Sequence, residues 1–402
     1  MRQVAVVGIG HTVFGNLSDF DLVDVMGFAA GNALDDAGIL DRRKIVDQIF
    51  VANMGGGILN HQTGIASALV SRMDMEPAMA ELVENGPASG ASAVKVGYMA
   101  IASGLADVVM VTGGELMRTV TGWEGTDFVA TLLHPEAEYN LGLTLPAFGG
   151  MFTRMYMERY GLTERELAMI AVKDHENGAK NPFAHVRVPC TLDAIDGGEN
   201  AGVVNNYVAE PLRLYGMCPV SDGAATVILC AVDSPKMKEF TKKAPVYISG
   251  IGSATDTHCV HNRKDPLILD AVRLAAERAY KMAHLSPGDI SFAELHDAFV
   301  VLELAIAEEA GLFERGKARE ALVAGDTRID GRIPINTSGG LKAKGHPVGA
   351  TGVSQIFELV KQLRGEAQKE NRQVKDPKHA LAVNFGGFGN NVVATICSKE
   401  LP

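Results

Sequence analysis

Short runs of aliphatic and β-branched residues alternate along this chain with longer stretches whose apolar positions recur at helical spacing. Val4–Val7, Gln48–Val51 and Val108–Val111 read as strands, and Leu22–Ala37 and Ala91–Ser103 as helices. Their alternation predicts a mostly parallel sheet covered by helices. A second round begins near residue 245. Val246-Tyr247-Ile248-Ser249-Gly250-Ile251-Gly252 repeats the pattern of Val4-Ala5-Val6-Val7-Gly8-Ile9-Gly10, each strand ending in Gly-Ile-Gly. The echo continues: a Gly/Ser-rich turn at Asn85–Gly90 opens an alanine-rich helix, and Asn336–Gly340 precedes a glycine-rich turn, a helix over about 350–363 and a strand over 379–385. Two copies of one α/β unit account for both rounds.

Between the rounds lies a stretch of different composition that holds Trp123 and several Tyr and Met residues. Thr163 and Glu166 have the spacing of a capping box, which sets a helix start there. A long excursion of this kind in a compact protein is often a lid over an active site. The expected division is therefore a first half from 1–117 and 209–244, an inserted loop domain at 118–208, and a second half at 245–402.

The 402 residues are 47% hydrophobic and 21% charged, enough for sizeable cores. A net charge of −11 argues against nucleic-acid or anionic-membrane partners, which reward basic patches. Cys190, Cys218, Cys230, Cys259 and Cys397 are scattered and contain no Cys-x-x-Cys pair. They predict neither a disulfide framework nor a metal site, and fit a reducing cytoplasm. No export signal is expected at the N-terminus, and the apolar stretch Gly97–Gly114 contains Asp107 and reads as core. Gly8-Ile9-Gly10 lacks dinucleotide-binding spacing, because the next glycine, Gly15, comes too late.

The most specific segment runs from Asn336 to Gly352 and contains Gly345-His346-Pro347. Glycines beside a histidine let the backbone approach a ligand, and the proline fixes the turn, so His346 is a candidate acid/base. Gly386-Gly387 is a candidate oxygen-binding turn through its N–H groups. The whole string from Asn336 resembles the signature of the thiolase superfamily, whose members make and break carbon–carbon bonds of 3-ketoacyl-CoA thioesters. Glu294-Leu295-His296-Asp297-Ala298-Phe299 resembles the His-Asp-x-Phe block of its archaeal and sterol-carrier-type branch, and Pro219–Ala225 resembles the turn before its second half. The overall pattern is similar to the catalytic subunits of benzoylsuccinyl-CoA-type thiolases from anaerobic aromatic degradation.

The resemblance implies an α/β, five-layered fold of two duplicated halves with an inserted loop domain. It implies acyl-CoA and coenzyme A as substrates with no covalently bound cofactor. It also implies a homodimeric core and a small accessory subunit that combines a zinc ribbon with an OB-fold. By resemblance, His346 matches the histidine that activates the nucleophile, His296 the one that helps hold the enolate oxygen, and Ser249 falls near a pantetheine contact. Asn384, with Gly386 and Gly387, is assigned to the thioester-binding side. The nucleophile itself is missing. Pro87 stands in Pro87-Ala88-Ser89-Gly90 where a cysteine is expected, Asn384 replaces the second cysteine before the Gly-Gly turn, and Ala298 replaces the one sometimes found in the His-Asp block. Cys259, flanked by His258 and His261, is the remaining cysteine whose surroundings bear on reactivity.

Proline offers neither an attacking atom nor a backbone N–H, so an acyl-enzyme at position 87 is excluded. The enolate half of the reaction needs no cysteine. Direct attack by a CoA thiol on the ketone is therefore the leading expectation. Retro-aldol cleavage of a 3-hydroxyacyl-CoA is the alternative, and a non-catalytic CoA-binding scaffold is a third reading.

Overall fold

In the computed structural model, which describes residues 1–196, 203–240 and 242–401, each round of the sequence pattern builds half of one nine-stranded sheet. The first half supplies β1 (Val4–His11), β2 (Gln48–Ala52), β3 (Met79–Val83) and β4 (Val108–Glu115). A separate ribbon of β5 (Tyr207–Ala209) and β6 (Leu212–Arg213) precedes β7 (Gly223–Ala231), which completes that half. The second half supplies β8 (Val246–Thr255), β9 (Phe292–Leu295), β10 (His379–Gly386) and β11 (Asn391–Ser398). The order is β3-β2-β4-β7-β1-β8-β11-β10-β9, and the halves join where Ala5 and Val6 pair with Tyr247 and Val246.

The sheet is mixed, not mostly parallel. β2 runs parallel to β3 and β4, and β9 parallel to β10, whereas β7 is antiparallel to β1 and β4, and β11 to β8 and β10. The tight turn between Gly386 and Asn391 leaves no length for a crossover, so β11 can only return antiparallel. Apolar runs identify strands but carry no direction.

Helices complete five layers. Leu22–Ala37 covers the outer face of the first half-sheet and Asp270–Ala283 that of the second, while Ser89–Ala102 and Val348–Leu363 pack on each other between them. The repeated Gly-Ile-Gly serves this packing. A Cβ on Gly8 or Gly10 would come within 2.6 or 2.1 Å of the Ala33 or Ala29 carbonyl oxygen, and one on Gly250 or Gly252 within 2.2 or 2.1 Å of those of Ala279 and Ala275. In both halves the outer helix lies directly on strand backbone. The inner helices meet in the same way, since a Cβ on Gly90 would fall 2.7 Å from the Gly352 nitrogen. Pro87 and His346, each just ahead of an inner helix, are thereby brought to one place.

Residues 118–208 supply the helices Gly122–Ala130, Leu145–Tyr160 and Glu164–Lys180, and among the described residues no strand of the nine-stranded sheet. Residues 197–202 of this stretch lie outside the described ones. The expected capping box is present: Thr163 Oγ1 accepts from Glu166 N, and Thr163 N donates to Glu166 Oε2 at 2.8 Å. No described helix is long and apolar enough to cross a membrane.

Candidate active site

Strand β9 ends at Leu295 and presents His296 next. The carboxylates that flank His296, Glu294 and Asp297, hold the loop that carries the second histidine. Glu294 accepts from Ser338 N at 3.0 Å and Thr337 Oγ1 at 3.1 Å, and Asp297 Oδ1 accepts from Leu341 N at 2.7 Å. Gly340 has a positive φ of 58°, and a Cβ there would sit 2.3 Å from Asp297 Oδ2, so only glycine permits this approach. The loop then delivers His346 to a cavity of about 140 Å³ that Pro87, His296, Gly387 and Phe388 also line. The two imidazole centroids lie 4.8 Å apart with their planes at 89°.

Hydrogen bonding assigns a different proton arrangement to each ring. Asn384 Oδ1 accepts from Ala91 N at 3.3 Å, and its amide nitrogen donates to the Pro87 carbonyl at 3.1 Å. An amide nitrogen so oriented can only donate to His296 Nδ1, which lies 3.1 Å away. His296 therefore carries its proton on Nε2. Thr351 Oγ1 gives its single proton to the Pro347 carbonyl at 2.9 Å, so the 2.7 Å contact with His346 Nδ1 requires that nitrogen to be the donor. His346 Nε2 is left with a lone pair. Neither Nε2 has a protein partner among the described residues. The cavity wall thus offers one N–H donor and one base.

Burial holds His346 down to about 3, helped by the Lys344 charge, and holds His296 well below the usual imidazole range, with His346 and Lys344 adding to the effect. Both rings are neutral near pH 7. A third polar group is the Gly387 N–H, which has no acceptor among the described residues and belongs to a residue with φ of 60°.

Other expected site residues lie elsewhere. Asn384 is 1% exposed and stands behind His296, so it orients the ring and does not reach the cavity. Gly386 abuts the turn before Ala88, where a Cβ would lie 2.9 Å from the Asn85 carbonyl oxygen. Ser249 sits within β8, not at its end, and its hydroxyl donates to the Ile396 carbonyl at 3.2 Å and accepts from Ser398 Oγ at 2.8 Å. Cys259 is buried away from this cavity, beside Glu138, and its thiol is pushed up from its ordinary value by burial. Cys218 does line the cavity, a placement its sequence context did not reveal, but burial pushes its thiol up to about 12 and makes it a poor nucleophile.

Two family models match the chain: the thiolase N-terminal domain over residues 4–233 and the thiolase C-terminal-like domain over 252–399. The chain belongs to the thiolase family. An acetyl-CoA acetyltransferase of Methanothermobacter thermautotrophicus is 40% identical over 399 residues, 99% of this thiolase and 100% of that protein. The benzoylsuccinyl-CoA thiolase subunit BbsB of Thauera aromatica is 30% identical over 367 residues, 91% and 90% of the two chains. A solved structure titled Ltp2-ChsH2(DUF35) aldolase superposes with a TM-score of 0.82 at 26% identity, covering 98% of this thiolase and 97% of that chain.

Proposed function

We propose that this thiolase-type acyltransferase cleaves or forms the carbon–carbon bond of a 3-ketoacyl-CoA by direct attack of a CoA thiol, with no acyl-cysteine intermediate. The observation that carries this reading is the pairing of His346 Nε2, a base, with His296 Nε2–H, a donor, on a cavity whose nucleophile position is Pro87. In the cleavage direction His346 Nε2 takes the thiol proton as sulfur bonds to the ketone carbon. His346 is held neutral by burial, so it gains the proton only as charge develops beside it. The bond between the α and β carbons then breaks. Its electron pair becomes an enolate whose oxygen accepts from His296 Nε2–H and Gly387 N–H, and His346 returns the proton to the α carbon. The products are two acyl-CoA thioesters.

Both CoA molecules must be present together, which gives an accessory zinc-ribbon/OB-fold subunit a physical role in supplying the second pantetheine path. The structural relative Ltp2-ChsH2(DUF35) aldolase joins an aldolase to a DUF35 protein, and the Thauera relative BbsB is a thiolase subunit. A homodimeric core, the lid at 118–208 and a place in aromatic or β-oxidative acyl-CoA breakdown, in the cytoplasm, belong to the same reading. The aldolase relative also favours a second reading, retro-aldol cleavage of a 3-hydroxyacyl-CoA.

The test is to incubate the purified protein, alone and with its accessory subunit, with two acyl-CoAs and to follow 3-ketoacyl-CoA and free CoA. Formation of both, resistant to iodoacetamide, is the expected result. Release of an aldehyde or ketone from a 3-hydroxyacyl-CoA without added CoA overturns direct thiolysis in favour of the lyase. Tight CoA binding with no turnover of either substrate indicates a scaffold.

A further inference from the structure

A second cavity, of about 240 Å³, lies beyond Phe388, which forms a wall of both. Its lining is apolar, with Phe148, Met151, Phe152 and Met155 from the lid helix Leu145–Tyr160, and one charged group, Arg263, enters it from the loop after β8. Phe388 is held in place by Phe148 at 5.6 Å and Phe152 at 5.5 Å between ring centroids.

The Arg263 side chain is 3% exposed. Its Nε lies 3.3 Å from Asp256 Oδ2, but Nε, Nη1 and Nη2 all lack a hydrogen-bond acceptor. The neighbouring acids do not fill this need. Asp256 Oδ1 accepts from Thr257 N at 2.7 Å, and the Glu138 carboxylate is occupied by Val260 N and His134 N, each at 3.0 Å. A guanidinium presents N–H groups in a planar fork that matches a carboxylate, and here the ion pair with Asp256 leaves the N–H groups of that buried fork without acceptors.

We propose that Arg263 binds a carboxylate on the acyl group of the substrate, so that this thiolase acts on acyl-CoAs whose acyl chain ends in, or branches to, a second carboxyl. The apolar wall takes the chain or ring and Arg263 takes its charged end, while the thioester stays with His296 and His346 on the near side of Phe388. The proposal rests on the reading above that the histidine cavity receives an acyl-CoA.

The test is calorimetric titration of the wild-type protein, with its accessory subunit, using length-matched probes: succinyl-CoA against butyryl-CoA, and adipyl-CoA against hexanoyl-CoA. The carboxylate member of at least one pair is expected to bind about tenfold tighter or better. Arg263→Gln should erase that preference, and Asp256→Asn, which removes a competing acid, should enlarge it. Equal binding within both pairs overturns the proposal even if no variant folds, and so does a preference that persists in folded Arg263→Gln. If no acyl-CoA binds at all, the acyl-CoA reading of the histidine cavity fails first, and the two failures are thereby separated.

Discussion

Replacing Asn384 by aspartate keeps the size of the side chain but exchanges an amide N–H2 for an acceptor oxygen. His296 Nδ1 must then become the donor, and its Nε2 loses the proton that faces the cavity. The expected result is a fall in kcat of about 100- to 1000-fold, the range found for loss of one oxyanion donor, with KM for acyl-CoA changing less. Circular dichroism and a thermal melt establish that the variant is folded. Asn384 was visible in the sequence as a replaced cysteine position, yet its role was not. Its partner Pro87 is 297 residues away in the chain, and no local pattern records that hydrogen bond. The surroundings of Ser249 were hidden for a related reason: β8 continues to Thr255, and the Ile396 and Ser398 groups that its hydroxyl bonds lie on β11, far away in the chain. The second residue-scale prediction concerns His346, whose imidazole falls from 6.5 to about 3 on burial. Because the folded value lies below the unfolded one, the stability it contributes is complete above 6.5 and is lost as pH falls toward 3. Urea titrations of wild type and His346→Gln at several pH values should show wild type losing about 1.4 kcal/mol per pH unit relative to the variant below 6.5. Parallel curves would mean that the ring is not desolvated.

Glu115, the last residue of β4, ties two segments, 53–55 and the start of the helix Val348–Leu363, to one carboxylate. Oε1 accepts from Asn53 Nδ2 at 2.6 Å and Gly55 N at 2.9 Å, and Oε2 from Met54 N at 3.0 Å and Gly349 N at 3.1 Å. Burial pulls this carboxyl up to about 7 against the opposing pull of those donors. Glu115→Gln would set an NH2 against two N–H groups. It is expected to cost about 2–4 kcal/mol, seen as a lower urea midpoint with an unchanged slope, because buried donors are left unsatisfied. Elements with strong local signals were legible: Leu22–Ala37 has Asp21 at its N-cap, accepting from Asp24 N at 2.7 Å, and Gly38 at φ 75° after its end. The repeated Gly-Ile-Gly was legible as a repeat, though its packing function was not. β3 was not legible, because Met79-Ala80-Glu81-Leu82-Val83 is an exposed edge with no clean alternation.

That edge governs behaviour at the scale of the whole molecule. β3 ends the sheet with Met79 63% and Leu82 45% exposed, and an open apolar edge favours pairing with another strand. Two copies joined β3 to β3 about a two-fold axis would continue the sheet across a dimer. Sedimentation velocity should give a dimer for wild type and a shift toward monomer for Leu82→Lys. An undiminished dimer in that variant would place the interface elsewhere. The contact of Gly90 with Gly352 has a different consequence. Pro87, His296 and His346 come from both halves, and the helices that follow Pro87 and His346 touch backbone to backbone with no room for even a methyl group. A contact this close fixes the spacing of the two helix starts, and with it the spacing of Pro87 and His346. With that spacing fixed, the part of the cavity wall left to vary is the one that Gly125, Thr126 and Val129 of the helix Gly122–Ala130 supply, and under the proposed lid role of 118–208 whatever rests on that helix bears on access to His296 and His346.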